Sequence, residues 1–174
     1  MSATSAKLKS ILTGQIPEVL IDALLVEYNE IKEHYFLQKF RPSELNASRF
    51  CECILRIIEY LDKGTYTSLG QQLNTGRIIL DAGNNTNLND TIRFFIPRLS
   101  RVLLDVRNKR DIAHVGGEVN PNFSDSKFVV HASDWILTEI VRQFYNCSID
   151  EAQKIVSNIN EIKIPIIADI NGFV

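Results

Sequence analysis

The chain has 174 residues, of which 45% are hydrophobic, and its 19 basic and 21 acidic residues give a net charge of −2. This length predicts one domain with a substantial core, and the charge excludes a protein that binds nucleic acid through an overall positive charge. Three cysteines are too few for a disulfide-stapled scaffold, so we expect free thiols in a reducing compartment. The N-terminus lacks the apolar segment of a secretion signal, and no apolar run approaches the roughly 20 residues of a membrane span. We therefore expect a cytoplasmic protein without membrane contact.

The first third of the chain predicts two long helices. Residues 1–16 are weakly patterned, and we expect a flexible arm or a short helix there. Apolar spacing predicts a helix over residues 18 to about 40, which ends at residues 41–43 because the residue before a proline avoids helical geometry. A second helix is expected from residue 43 or 46 to about residue 62. Three charged residues share one side of it, where we expect a ladder of surface ion pairs: Arg49, Glu52 and Arg56.

The middle of the chain is polar and interrupted by glycine and asparagine. Short helices are expected over 68–73 and 76–82, with a loop at 83–87. A helix over 88–96 is then expected to enter the next helix through a kink or a tight turn.

The next helix begins at Pro97, whose missing N–H would have no intrahelical partner in a first turn. Gly116 and Gly117 provide its stop. Five apolar residues recur at helical spacing and predict the core face of this helix: Leu99, Val102, Leu103, Val106 and Ala113.

The last third predicts two further helices. An apolar stripe predicts a helix over 124–146, and His131 beside it is interpreted as a packed or capped side chain. The stripe comprises Phe128, Val129, Ala132, Trp135, Ile136, Ile140 and Phe144. Ser148 and Glu151 have the spacing of a capping box, which predicts a helix over 149–160. Residues 161–174 are rich in isoleucine, and we expect an extended tail or the start of a further region there.

These elements predict an all-α fold, an antiparallel bundle of four to five helices with a short extended C-terminal tail. The bundle itself is expected to span residues 17–160. Glycine-rich phosphate loops, His-Glu-x-x-His motifs, zinc-spaced cysteine pairs and Gly-x-Ser-x-Gly elbows are absent from the sequence. We accordingly expect neither a metal nor an organic cofactor.

Polar residues of the central helix form the candidate site. Arg107, Arg110, Asp111 and His114 stand at i, i+3, i+4 and i+7, so all four share one side of a helix. Histidine transfers protons near neutral pH, and the arginine fork matches a phosphate. RNA supplies its own nucleophile, the 2′-hydroxyl, so an arginine and a histidine form a sufficient set for metal-free cleavage of RNA.

The spacing of this pair predicts a dimer. Residues seven apart on a helix are separated by about 10 Å along the axis, and Arg107 leans toward the N-terminus, away from His114. Two such helices packed antiparallel about a two-fold axis would bring each arginine close to the histidine of the other chain. We therefore expect a homodimer with a shared cleft.

Residues 107–114, Arg-Asn-Lys-Arg-Asp-Ile-Ala-His, resemble the signature of the HEPN superfamily, an arginine, often followed by a polar residue, and then a histidine after four to six intervening residues, which here are residues 108–113. The family's motif lies near the end of a late helix in a four- or five-helix bundle. The resemblance implies a metal-independent, dimeric endoribonuclease of toxin–antitoxin or antiviral defence systems. It implies that Arg107 and His114 are catalytic and that Asn108 is a polar support. From spacing alone, we add that Asp111 orients His114.

A local basic strip accompanies this motif and predicts contacts with RNA phosphates. Its members are Arg98, Arg101, Lys109 and Arg110. Some family members carry a modified tyrosine two residues after the histidine, but Gly116 stands there in this chain. An antitoxin or regulatory protein is a further expected partner.

Two other classes stay open at the level of sequence. One is a non-catalytic helical module that dimerises and binds RNA or a regulated partner. The other is a helical regulator with a DNA-binding region beyond residue 174. For both, the charged face of the central helix consists of ordinary surface i, i+4 pairs.

Overall fold

The computed structural model describes residues 3–37, 40–110 and 122–159. Within these ranges the chain folds into seven α-helices and forms no β-strand, which confirms the predicted all-α class. The helices are α1 (Ala3–Leu12), α2 (Glu18–Phe36), α3 (Phe40–Lys63), α4 (Thr75–Asn84), α5 (Ile96–Arg110), α6 (Phe123–Tyr145) and α7 (Ile149–Ile159). The predicted extended tail at 161–174 lies outside the described residues.

Helix α3 occupies the centre of the bundle and packs against α2, α4, α5 and α6. Its apolar residues recur at helical spacing on more than one side, as a helix surrounded by neighbours requires. Fully buried α3 side chains form the middle of the core: Phe50, Cys51, Ile54, Leu55, Ile57 and Ile58. Helices α1 and α7 close the bundle against α6.

The boundary between the first two long helices differs from the prediction. Helix α2 ends at Phe36, where the Leu37 N–H still bonds to the Glu33 carbonyl, and α3 already begins at Phe40. Pro42 therefore lies in the first turn of α3 and does not stop α2. Proline is tolerated there because first-turn N–H groups have no intrahelical acceptor.

Arg56 corrects the predicted surface ladder of α3. Its side chain is only 2% exposed, and its guanidinium donates to the carbonyls of Thr67 and Gln71 at 3.0 and 2.8 Å. Glu52 accepts from the same guanidinium at 3.1 Å. The predicted helix at 68–73 is absent, since this segment is an irregular loop held by Arg56. Arg49 does lie at the surface, beside Glu27 and Glu30 of α2.

A single π-helical turn, Thr91–Phe95, leads without a break into α5, at the place where a kink or tight turn was predicted. The Ile96 N–H bonds to the Thr91 carbonyl, five residues back. Pro97 follows directly. It has no N–H to donate, and in a regular α-helix its ring would clash with the carbonyl of the residue four positions earlier. The wider turn absorbs the proline while the helix continues.

The predicted capping box of α7 is confirmed. The Glu151 N–H donates to the Ser148 hydroxyl at 3.3 Å, and the Ser148 N–H donates to the Glu151 carboxylate at 3.0 Å. Asn122 caps α6 by accepting from the N–H groups of Ser124 and Asp125. Asn146, with a φ of 48°, ends α6 in the left-handed conformation that asparagine tolerates.

Candidate functional site

Helix α5 carries most of the predicted site. Arg98 and Arg101 are described with their side chains, and residues 107–110 continue the helical backbone of α5. Asp111 and His114 lie outside the described residues, so their predicted roles stay predictions. The structure therefore describes the backbone of this helix up to Arg110, and it describes the side chains of the two arginines nearer its start.

The side of α5 that packs on the bundle matches the predicted core face only in part. Ile96, Ser100 and Leu103 are fully buried, whereas Val102, predicted as core, is 47% exposed. Leu99 and Val106 are half-buried at the edge of the packed side. Ser100 lies beside Cys51 of α3, where a small side chain lets the two helices approach. The predicted apolar stripe is therefore rotated toward solvent.

The predicted site residues at the end of α5 are described only by their backbone. Residues 107–110 are helical, but their side chains lie outside the described part of the structure. The roles predicted for Arg107, Asn108, Lys109 and Arg110 therefore stay predictions.

Arg98 is exposed and rests on an aromatic ring. Its guanidinium carbon lies 4.7 Å from the centroid of the Phe94 ring, and that of Arg93 lies 4.6 Å from the same centroid. Arg93 is further held by a 2.9 Å hydrogen bond to the Gly83 carbonyl. A guanidinium placed on a ring keeps its edge available for an oxyanion. Arg98 fits the predicted phosphate contact on this ground.

Arg101 is also exposed but is paired with a carboxylate. Its Nε lies 3.2 Å from Oδ2 of Asp105, one turn further along α5. Both side chains are about half exposed, so the pair contributes little stability and opens readily. An incoming phosphate would compete with Asp105 for this arginine.

The cysteines of α3 have the character of core residues. Burial raises the pKa of Cys51, and the neighbouring Ser100 hydroxyl only partly offsets this effect. Burial likewise raises the pKa of Cys53 to about 12. Since the thiolate is the nucleophilic form, neither thiol is suited to covalent catalysis near neutral pH.

A groove of about 640 Å³ lies between α2, α6 and α7, and sequence reasoning missed it. Trp135 and His131 are exposed one turn apart on α6, and Gln153 and Ser157 are exposed one turn apart on α7. Trp135, predicted as core, is 39% exposed. The i, i+4 spacing of two polar-tipped rings on α6 was the only signal in the sequence.

The floor of this groove, between α2 and α6, is an ordered polar cluster. The Tyr28 hydroxyl donates to Oδ1 of Asp134 at 2.6 Å. The Lys32 ammonium donates to both oxygens of Asp134, at 2.9 and 2.8 Å. Lysine and aspartate neutralise each other there, so the lining carries no excess of either charge.

Among the residues that the structure describes, no three side chains of His, Cys, Asp or Glu cluster closely enough to hold a metal ion. None of the described helices combines the length and hydrophobicity that crossing a membrane requires.

Comparison of the chain with models of known protein families, with curated proteins and with solved structures gave no match.

Proposed function

We propose that this protein is a metal-independent endoribonuclease of the HEPN type, acting in the cytoplasm as a prokaryotic defence or toxin effector. One observation carries the proposal: the Arg107–His114 motif continues from α5, a late helix of an all-α bundle. The all-helical class agrees with the fold that the resemblance implies. RNA is the substrate, and no metal ion or organic cofactor takes part.

The reaction is an intramolecular transesterification. The 2′-oxygen attacks the adjacent phosphorus, the bond from phosphorus to the 5′-oxygen breaks, and a 2′,3′-cyclic phosphate and a 5′-hydroxyl result. His114 of one chain removes the 2′-hydroxyl proton and, as the resulting imidazolium, donates a proton to the leaving 5′-oxygen beside Arg107 of the other chain. Arg107 stabilises the negative charge of the phosphorane. Asn108 supports the phosphate contact, and Asp111 orients His114.

Binding of the RNA strand relies on the basic residues of α5. Arg98 on Phe94 presents a guanidinium edge to a phosphate, and Arg101 exchanges Asp105 for a second phosphate. Lys109 and Arg110 extend the strip toward the motif. These contacts position RNA without reading its sequence, so binding should weaken steeply as salt rises.

The active form is a homodimer. Phe95 and Val102 are 54% and 47% exposed along the solvent side of the π turn and α5, where they offer apolar area to a second copy. An antitoxin or regulatory protein would act by covering this side of the helix.

A second candidate is a non-catalytic dimeric module that binds RNA or a regulated partner. The Arg101–Asp105 pair favours it, because this pair is an ordinary i, i+4 surface contact that needs no catalytic explanation. This candidate predicts RNA retention by the wild type without any cleavage.

The test compares the wild type with Arg107→Ala and His114→Ala in an RNA cleavage assay, with Arg49→Ala as the control. Arg49 is an exposed arginine on α3, so its loss removes the same charge away from α5. We expect both motif variants to lose cleavage while the control keeps it. Mixing the two inactive variants should restore partial activity, since a site shared between chains is intact once per mixed dimer. Failure of the mixture would place both residues of a site in one chain.

A further inference from the structure

The groove between α2, α6 and α7 has two unlike walls. His131 and Trp135 present their rings from α6, and Gln153 and Ser157 present an amide and a hydroxyl from α7. Ile149, also exposed, contributes an apolar end. Flat aromatic surfaces on one side therefore stand opposite the Gln153 amide, which both donates and accepts, and the Ser157 hydroxyl, which donates to the Lys154 carbonyl at 3.1 Å and still accepts. Its volume, about 640 Å³, is in the range of small-molecule sites.

The charges in the lining select against an ionic group placed inside the groove. Lys32 is the lining ammonium and Asp134 the lining carboxylate, and they bond to each other at 2.8 Å. An anion would have to displace Asp134 from Lys32, and a cation would have to displace Lys32 from Asp134. A wholly apolar ligand would strip water from Gln153 and Ser157 without replacing their hydrogen bonds. After these exclusions, the group that fits inside the groove is neutral and planar, with hydrogen-bond donors and acceptors along its edge.

We propose that this groove binds a nucleobase, with one face stacked on Trp135 and its polar edge hydrogen-bonded to Gln153 and Ser157. Stacking on an aromatic side chain accepts any of the four bases, and the amide rotates to match donor or acceptor edges. The base belongs either to a free nucleotide or to an unpaired position of an RNA strand. None of the described residues of α5 lines this groove, and the proposal does not rest on RNA cleavage.

Trp135 makes the proposal directly measurable, because it is the single tryptophan of the chain. Its fluorescence reports on this groove and on no other place. The wild type is titrated with the four ribonucleoside monophosphates, with a short 2′-O-methylated oligoribonucleotide, and with ribose 5-phosphate. The methylated strand cannot undergo transesterification, so binding is measured whether or not the protein cleaves RNA. Ribose 5-phosphate tests whether sugar and phosphate suffice without a base.

We expect saturable quenching by ligands that carry a base and none by ribose 5-phosphate. Saturation by monophosphates would identify a free nucleotide as the ligand, and saturation by the oligonucleotide alone would identify an RNA strand. Gln153→Ala should weaken binding about tenfold, while Gln72→Ala, an exposed glutamine in the 64–74 loop, should leave it unchanged. Trp135→Leu, followed by calorimetry, should weaken it by a similar factor.

Absence of saturable quenching with every ligand would overturn the proposal, as would equal quenching by ribose 5-phosphate. Equal affinity of Gln153→Ala and the wild type would also overturn it. All three substitutions are at exposed positions, and each variant's unfolding curve establishes that it is folded. Because the titration involves no catalysis, a failure here leaves the cleavage assay on α5 unaffected.

Discussion

The Tyr28 hydroxyl donates a 2.6 Å hydrogen bond to Oδ1 of Asp134, and this contact joins α2 to α6 across 106 residues of sequence. Tyr28 is fully buried and its ring contacts Phe50 of α3, with ring centroids 6.2 Å apart. One side chain therefore connects three helices and fixes the carboxylate that forms the floor of the groove. Lys32 completes the cluster from the next turn of α2.

Tyr28→Phe removes this hydrogen bond and leaves the ring packing in place. Because the acceptor is a charged carboxylate, we expect the free energy of unfolding to fall by about 1.5–3 kcal/mol. Urea unfolding measures the change, and Tyr145→Phe, at an exposed tyrosine of α6, should change it by less than about 0.5 kcal/mol. Equal effects of the two substitutions would show that the Tyr28–Asp134 contact adds no stability.

Arg56→Met tests the buried arginine of α3. The substitution keeps much of the side-chain volume but leaves the carbonyls of Thr67 and Gln71 without their donor. We expect a loss of about 3–5 kcal/mol, as for breaking a buried charged network. Limited proteolysis should then cut within residues 64–74. Arg49→Met on the same helix should cost less than about 1 kcal/mol, because Arg49 is exposed. Resistance of that loop in Arg56→Met would contradict its role.

Glu27 introduces a pH dependence of stability. Burial raises the pKa of this carboxyl, and the Arg49 guanidinium at 3.7 Å only partly offsets the effect. The folded state therefore binds the proton more tightly than the unfolded state, so this group favours folding at low pH. Its contribution is lost as the pH rises from 4.5 through the raised pKa.

Glu27→Gln should consequently be more stable than the wild type at neutral pH, by a few tenths of a kcal/mol after solvent screening. The difference should shrink toward zero below the ordinary carboxyl pKa, where the wild-type carboxyl is protonated in both states. Unfolding curves recorded across this pH range measure it. A difference that does not vary with pH would refute the assignment.

Ser148→Ala removes the hydroxyl of the α7 capping box and should cost about 1 kcal/mol. The hydrogen bond from the Ser148 N–H also lowers the pKa of Glu151. The stabilising contribution of Glu151 is thus present above its ordinary pKa and is lost as the pH falls through the lowered value. Ser157→Ala, at an exposed serine near the other end of α7, serves as the control in thermal unfolding. The loss of thermal stability in Ser148→Ala, relative to this control, should therefore be largest near neutral pH and smaller at acidic pH.

The sequence predicted those features that depend on neighbouring residues. The capping box at Ser148 and Glu151 was predictable because three residues of spacing decide it. The side of α5 that packs on the bundle was not predictable, because the helix has more apolar residues than one face can bury. Val102 is exposed as a result. Arg56 was wrongly predicted to lie at the surface, because its partners belong to a loop and the spacing of residues along α3 does not predict where that loop runs. The groove beside Trp135 exists only once α2, α6 and α7 are packed together.

The candidate site divides in the same way. The local clustering of basic residues predicted phosphate contacts for Arg98 and Arg101, and the structure describes both side chains as exposed. The predicted partnership of Arg107 with His114 depends on residues outside the described ranges and on a second chain. The distance between these two side chains could not be predicted from the sequence of one chain, because it depends on how two chains would pack together.

The most direct test of the proposed function is the identity of the RNA ends produced by the wild type in the presence of EDTA. We predict 2′,3′-cyclic phosphate and 5′-hydroxyl ends, formed by the wild type and by Arg49→Ala but by neither Arg107→Ala nor His114→Ala. Cleavage that persists in both motif variants, or that stops when EDTA is added, would contradict this prediction.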